Sequence, residues 1–241
     1  YNLMIMRIRE LIEVVYKNKE KQQNLELSKK QAELNALQSQ LNPHFIFNAL
    51  ESIRMHSVLK KEMETAKILE NFAVLMRENI QWSQDFVTVG ENVRRYLEIQ
   101  KYRFGDRFEF SLCIQDSARR YYIPRFVLII FVENACVHGI EAKSFPGWIF
   151  VRVYTENDAL CMEIEDTGGG MDEAEVERIQ DRMRNASLKM LKEKGHVGMV
   201  NTCLRIRMMT EDTAQFSVES EPGIGTLVSI RFPLNKAIRA D

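Results

Sequence analysis

The chain has 241 residues, of which 45% are hydrophobic and 28% are charged, and its formal net charge is -1. This length favours two modules over one, and the composition is that of an ordinary globular protein. A chain without a basic excess does not resemble a general nucleic-acid binder, so we expect no nucleic-acid partner. No apolar run reaches the roughly 18 residues that span a bilayer. Because the first residue is Tyr1 rather than Met, a membrane segment upstream of it remains open.

The first 40 residues predict one long helix, since they contain no Gly or Pro and are rich in helix formers. An apolar seam with heptad spacing is formed by Leu27, Leu34, Leu37 and Leu41. The seam favours a dimeric signalling coiled coil over an amphipathic helix that packs on its own domain. It leads directly into the next segment, so a twist or shift of the coil would act there.

Residues 41–50 read Leu-Asn-Pro-His-Phe-Ile-Phe-Asn-Ala-Leu and place a histidine directly after a proline in an apolar, helix-like pattern. His44 and Asn48 stand at positions i and i+4 of this helix, so Asn48 can orient the imidazole ring. Pro43 removes a backbone donor and loosens the turn, which suits a histidine that another molecule must reach. Taken alone, the segment is explained as well by a histidine satisfied within an amphipathic helix.

The helical pattern continues to Leu59, breaks at residues 60–64 and resumes to Ile80, which predicts two helices joined by a turn. Two such pairs would form a four-helix bundle, so we assign residues 41–84 to a dimerisation hairpin. Residues 82–90 are predicted to be a linker. Residues 91–102 are predicted to be a helix within a helical connection that spans residues 85–107.

The pattern changes to mixed strands and helices after Gly105. It lacks the regular alternation of a Rossmann sheet, so we predict an α/β sandwich over residues 108–234, with helices on one face of a mixed sheet. In chain order we expect a strand at 108–114, a helix at 124–138, paired strands at 148–154 and 159–165, helices at 172–190 and 198–209, and strands at 216–219 and 226–232.

Four short segments of this module combine polar side chains with glycines. Each alone is weak, since glycine pairs are common in turns, but their order and spacing are specific. They are Glu133-Asn134-Ala135-Cys136-Val137-His138-Gly139, Asp166-Thr167-Gly168-Gly169-Gly170-Met171, Gly195-His196-Val197-Gly198-Met199 followed by Asn201, and Gly223-Ile224-Gly225-Thr226.

These segments resemble the N, G1, G2 and terminal G-x-G-T boxes of the GHKL ATP-binding fold, which histidine kinases share with several ATPases. The run Tyr96-Leu97-Glu98-Ile99-Gln100-Lys101-Tyr102-Arg103-Phe104 and the His44 segment extend the likeness, so that the chain resembles LytS/YesM-type sensor histidine kinases from about Leu41 onward. The resemblance implies a homodimer on the cytoplasmic face of the membrane. It also implies a transmembrane sensor segment upstream and the receiver domain of a response regulator as partner.

The resemblance implies ATP and Mg²⁺ as cofactors, and the residue types agree. Asn134 offers a side-chain oxygen suited to Mg²⁺, which takes the rest of its shell from phosphate and water. His138 lies one turn further on the same face and could contact phosphate. The alternative for Asn134 is a cap or bridge within its helix.

Asp166 can accept a hydrogen bond from the adenine amino group, while Gly168 and Gly170 let the backbone approach the base. Gly195 and Gly198 precede a helix whose N-terminus can receive phosphates. The alternatives are an Asp-Gly turn and an ordinary helix-entry loop. The resemblance adds three further nucleotide-binding residues, namely Asn201, Gly225 and Thr226.

The implied reaction moves the γ-phosphoryl group of ATP to a ring nitrogen of His44, and then to an aspartate of a response regulator. ATPases of this fold carry a water-activating Glu four residues before the magnesium asparagine, where this chain has Ile130. Without that carboxylate, transfer to His44 is favoured over transfer to water. Glu133 is the remaining acidic candidate for a base.

Three positions depart from the family pattern. Residues Ile129-Ile130 replace the usual Gln-Pro, Thr167 follows the G1 aspartate where Asn is common, and His196 replaces the first glycine of G-x-G-L. The last change could stiffen the loop and weaken phosphate binding. A second hypothesis is therefore a degenerate kinase that serves as a dimeric scaffold, binding nucleotide or regulator without catalysis. A third, an ATPase, is disfavoured by Ile130.

Overall fold

The computed structural model describes residues 43–80, 86–88, 90–124, 126–141, 146–187, 190 and 197–239, with residues 19, 21, 22, 25, 26 and 29. Contacts divide the chain into two units, Tyr1–Ala49 and Leu50–Asp241. The scattered residues before position 30 are helical, but the predicted coil as a whole lies outside the described residues. Within the described part, no helix is long and apolar enough to cross a membrane.

Two consecutive helices, α1 (Pro43–Leu59) and α2 (Met63–Ile80), confirm the helical segments and the break predicted between them. Helix α1 begins at Pro43, whose fixed φ suits the first helical turn, where its missing N–H needs no partner. The turn between the two helices contains Lys61, which has a φ of 63°.

Helix α3 (Glu91–Phe104) confirms the helix predicted at residues 91–102. Polar bonds tie α2 to it: Asn71 Nδ2 donates to Glu98 Oε2 over 2.7 Å, and Lys67 Nζ lies 3.4 Å from the same oxygen. The prediction that residues 82–90 form only a linker is wrong for Phe86–Thr88 (β1), which pairs antiparallel with Tyr121–Pro124 (β3). A short strand with a distant partner leaves little local signal.

The central sheet has five strands in the order β2-β4-β5-β7-β6. Strands β2 and β4 are parallel, and the other neighbours are antiparallel, which makes the sheet mixed as predicted. Its strands are β2 (Phe108–Ile114), β4 (Gly147–Glu156), β5 (Ala159–Asp166), β6 (Gln215–Glu221) and β7 (Gly225–Pro233), while β8 (Ile238–Arg239) joins β3 in a separate three-stranded sheet.

The turn between β4 and β5 lies where the sequence predicts it. Asn157 and Asp158 have φ values of 46° and 55°. Two successive left-handed residues twist the chain in the sense that antiparallel strands require.

The helix predicted to begin at Pro124 begins later, and its second half is π-helical. Pro124 ends β3, and α4 (Val127–Asn134) begins only after Phe126, whose φ is 68°. The chain then continues as a π-helical segment, Ala135–Ile140. Pro124 is therefore a strand terminus, and the prediction of a single regular helix over residues 124–138 is wrong.

The helix predicted at residues 172–190 is shorter in the structure. Helix α5 (Glu173–Arg184) is capped by Asp172, whose Oδ1 accepts a hydrogen bond from the Glu175 N–H over 2.8 Å. The last helix, α6 (Val197–Met209), begins one residue before its predicted start.

Helices α4 to α6 bury their apolar faces against one face of the sheet. The opposite face carries charged pairs, in which Arg152 contacts Glu163 and Glu165 at 2.8 and 2.7 Å. The predicted fold class, a helical region followed by an α/β sandwich, is confirmed. Fully buried residues that join the two layers include Phe131, Leu160, Met162, Ile164, Met183 and Ile206.

Helix α5 satisfies the outer strand of the sheet through one side chain. Gln180 Nε2 donates to the Phe216 carbonyl, and Gln180 Oε1 accepts from the Val218 N–H, each over 2.7 Å. The amide thus makes two of the hydrogen bonds that a neighbouring strand would make with β6. A backbone group left without such a partner in a buried position costs about 1–3 kcal/mol.

We predict that Gln180→Ala lowers the free energy of unfolding by about 1–3 kcal/mol, because both backbone groups lose their partner. Urea unfolding followed by circular dichroism measures it. The control is Glu177→Ala on the exposed side of the same helix, which should change stability by less than about 0.5 kcal/mol. Equal midpoints for the two variants would contradict the role given to Gln180.

Candidate functional site

A cavity of about 330 Å³ lies between the α4–π helical segment and the sheet. The sheet contributes Asp166 and Thr226, and the helical segment contributes Asn134 and His138. The cavity brings together these four predicted residues and Gly170. Its remaining lining is Phe131, Ala135, Gly139, Ile164, Met171, Glu175, Ile179, Met199, Val218 and Val228.

Asp166 is the last residue of β5, and only 7% of its surface is exposed. Its Oδ1 accepts a hydrogen bond from the Gly168 N–H over 2.7 Å. This local bond orients the carboxylate, because the chain turns back on it within two residues. A buried carboxylate that lines a cavity can accept a hydrogen bond from a ligand that enters there.

Glycines allow three chain segments to close around Asp166. A Cβ atom added at Gly139 would lie 2.5 Å from Asp166 Oδ1, and one added at Gly168 would overlap the Cα atom of Gly139. At Gly225, which has a φ of 151°, it would overlap the carbonyl of Asp166. Gly168 and Gly225 were predicted as site residues from the boxes. Gly139 was not predicted as a site residue, although it is the last residue of the first box, residues 133–139.

Asn134 and His138 both line the cavity, so the expectation that they share one side of their segment is met. Asn134 ends the α-helical part, and His138 belongs to the π-helical turn that follows. No group of three or more His, Cys, Asp or Glu residues in the described part could hold a metal ion.

Three predicted site residues line a second cleft instead. This cleft, of about 460 Å³, lies among α2, α3, α4 and α6 and is lined by Glu133, Gly198 and Asn201 together with Ile130. A Cβ atom at Gly198 would be 3.6 Å from Ile130. Gly195 and His196 lie outside the described residues.

His44 and Asn48 are exposed on α1, within the unit Tyr1–Ala49. The Asn48 side-chain nitrogen lies 3.2 Å from His44 Nδ1 and 3.5 Å from Nε2. The contact predicted at positions i and i+4 is therefore present.

Thr167, one of the departures from the family pattern, serves the sheet. Its hydroxyl accepts a hydrogen bond from the Trp148 N–H over 2.9 Å, and its own N–H donates to the Trp148 carbonyl over 3.0 Å. These bonds extend the pairing of β4 and β5 beyond Asp166. The substitution thus holds the aspartate's strand in place.

Two cysteines of the helical layer, Cys136 and Cys203, are buried. Burial raises the pKa of Cys136 on the π-helical segment to about 12, and that of Cys203 on α6 to about 12. Both thiols therefore stay protonated and pack as small apolar groups.

Two family models match the chain. A histidine kinase family matches residues 32–108, and the family described as histidine kinase-, DNA gyrase B-, and HSP90-like ATPase matches residues 124–236. The second match contains four of the five strands of the central sheet, helices α4 to α6 and every residue that lines the cavity. Fold and cavity together define an ATP-binding domain of this class.

Curated relatives narrow the class. The chain is 32% identical over 241 residues to the sensor histidine kinase YesM of Bacillus subtilis, covering 99% of this chain and 38% of that protein. It is 30% identical over 207 residues to the sensor histidine kinase BtsS of Escherichia coli and 28% over 208 residues to the sensor protein LytS of Bacillus anthracis. Each of those matches covers 84% of this chain and 34% of the relative. The chain belongs to the sensor histidine kinase family, and it spans little more than a third of these relatives.

We predict that Gly139→Ala lowers the affinity for ADP about 10- to 100-fold, because the new methyl group displaces the Asp166 carboxylate, which we expect to accept a hydrogen bond from the base. Titration calorimetry measures the affinity. The control is Gly169→Ala, where an added Cβ meets no atom within 4 Å. If both variants bound ADP as the unsubstituted chain does, the packing around Asp166 would be irrelevant to binding.

Proposed function

We propose that this chain is the kinase core of a two-component sensor, which phosphorylates its own His44 from Mg·ATP and passes the phosphoryl group to an aspartate of a response regulator. The main support is the cavity in which glycines hold a buried Asp166 beside Thr226, Asn134 and His138. The proposal keeps the division into a coil at 1–40, a hairpin at 41–84, a connection at 85–107 and a catalytic domain at 108–234.

Adenine recognition is proposed for the sheet side of the cavity. Asp166 would accept from the amino group of the base. Gly170 lines the cavity and would let the backbone approach the base, while the missing side chain of Gly168 leaves room for Gly139 beside Asp166. Apolar side chains that line the same cavity offer surfaces to a flat ring: Phe131, Ile164, Met171, Met199 and Val228. Burial of a planar apolar ring among such side chains supplies affinity, and the few polar groups supply orientation.

Phosphate and metal binding are proposed for the helical side. Asn134 would ligate Mg²⁺ through its side-chain oxygen, and His138 would contact phosphate. Gly195, Gly198 and Asn201 are proposed to hold phosphate as well, although in this structure Gly198 and Asn201 line the second cleft. Bound Mg²⁺ supplies neutralisation of charge on the transferred phosphoryl group.

His44 is proposed as the acceptor because its ring is exposed and oriented by Asn48. Neutral imidazole is a competent nucleophile near pH 7, so positioning matters more than a strong base. Glu133 remains the proposed acidic partner in the transfer. Ile130, at the position of a water-activating carboxylate in the related ATPases, favours transfer to histidine over hydrolysis.

A homodimer is proposed through α1 and α2. Large apolar side chains stand exposed on α1, including Phe45 at 70%, Ile53 at 52% and Leu59 at 77% exposure. Such a concentration on one helix is typical of a surface that a partner covers. The receiver domain of a response regulator and a membrane-bound sensor segment complete the proposed system.

We predict that the chain incubated with γ-labelled Mg·ATP acquires an acid-labile, alkali-stable label, and that His44→Gln reduces it to background because the acceptor nitrogen is gone. The control is His56→Gln, which removes the other histidine of the same helix and should leave the label in place. Label that survives in His44→Gln would reject His44 as the acceptor. Nucleotide binding without any label would support the scaffold hypothesis instead.

We predict that Asn134→Ala weakens ATP binding about tenfold with Mg²⁺ present and much less with EDTA, because it removes a ligand of the ion. Calorimetry in both buffers measures the difference. The control is Asn185→Ala at the end of α5, where the side-chain amide donates a hydrogen bond to Asp181. This variant should bind ATP as the unsubstituted chain does in both buffers. An equal loss in both buffers would assign Asn134 to the nucleotide and not to the ion.

A further inference from the structure

Ser220 stands next to the cavity in a row of polar side chains. On β6 it pairs directly with Thr226 of β7, and Thr226 pairs with Asp166 of β5. Residues directly opposite each other on antiparallel strands carry their side chains on the same face. Asp166 and Thr226 line the cavity, and Ser220 lies behind Thr226.

The Ser220 hydroxyl has three neighbours within hydrogen-bonding distance. It donates to the Gly225 carbonyl over 2.7 Å, accepts from the Met171 N–H over 2.9 Å, and lies 2.9 Å from Thr226 Oγ1. A serine hydroxyl has one proton to give and two lone pairs to offer. Because a carbonyl oxygen can only accept, the bond to Gly225 uses the serine proton. One lone pair is taken by Met171, so the second lone pair accepts from Thr226.

The direction of that bond determines what Thr226 offers to the cavity. Having donated its proton to Ser220, the Thr226 oxygen presents only lone pairs. The Asp166 carboxylate beside it is also an acceptor. Two acceptors side by side match an amino group, which carries two N–H bonds, whereas an oxo group would bring a third acceptor to the same place.

We infer that Ser220 is a positioning residue for base selection: it fixes the Thr226 hydroxyl as an acceptor, so that the cavity takes 6-amino purine nucleotides and rejects 6-oxo ones. The inference rests on the proposed function, since it treats the cavity as a nucleotide site. The bond to Met171 serves the same end, because it holds the loop after Asp166 to the side chain that orients Thr226.

The test compares ADP with inosine diphosphate (IDP), which carries an oxo group at position 6, by titration calorimetry. The unsubstituted chain should bind ADP at least about tenfold more tightly than IDP. Ser220→Ala lets the Thr226 hydroxyl turn its proton toward the base, so the ratio of the two affinities should fall about three- to tenfold. A purely structural role would weaken both nucleotides equally and leave the ratio unchanged.

Two variants serve as controls. Ser217→Ala makes the same substitution on the same strand, where the partner is Ser229, and should keep the ratio. Thr226→Val removes the oriented hydroxyl and should itself lower the ratio. Adding Ser220→Ala to Thr226→Val should then change the ratio no further, since both act through one group.

A wild-type ratio retained in Ser220→Ala, or independent effects in the double variant, would overturn the inference. Equal binding of ADP and IDP by the unsubstituted chain would also overturn the inference, while leaving the cavity as a nucleotide site. Failure to bind either nucleotide would overturn the proposed function, and the inference with it. Because each ratio comes from one preparation, partial loss of folded protein cancels.

Discussion

The candidate site depends on how closely the chain packs around the carboxylate of Asp166. Burying a carboxylate is costly unless hydrogen bonds satisfy it. Asp166 Oδ1 accepts one such bond from the Gly168 N–H. Glycines at 139 and 225 remove the side chains that would push the carboxylate or its backbone away. One buried acid thus sets the spacing of a helix, a loop and a strand that are far apart in sequence.

The sheet side and the helical side of the cavity differ in structure. Asp166 and Thr226 belong to paired strands, and Thr167 locks β5 to β4 directly after Asp166. Asn134 and His138 stand where the α-helix passes into a π-helical turn, a kind of irregularity that often accompanies functional sites. The proposed base site and the separate proposed phosphate site would suit a reaction in which positioning donor and acceptor is the main requirement.

The sequence predicts features whose causes are local. The Asn157–Asp158 turn, helix α3 and the glycine boxes all belong to this group, because turn residues and glycines mark special backbone positions. The strand Phe86–Thr88 was missed because its partner lies more than thirty positions away. Glu133, the candidate base, and Asn201, a candidate nucleotide-binding residue, line the second cleft and not the cavity, and that cleft is defined by how four helices pack. No pattern in a single sequence fixes that packing.

The bonds from Gln180 to β6 have a consequence for assembly. A sheet edge with open N–H and carbonyl groups invites another chain to add a strand. Here the side chain of Gln180 already occupies the Phe216 carbonyl and the Val218 N–H in the middle of that edge. A second copy that docked along β6 would first have to displace this amide. The Gln180 amide therefore protects the β6 edge against the addition of a strand from another chain.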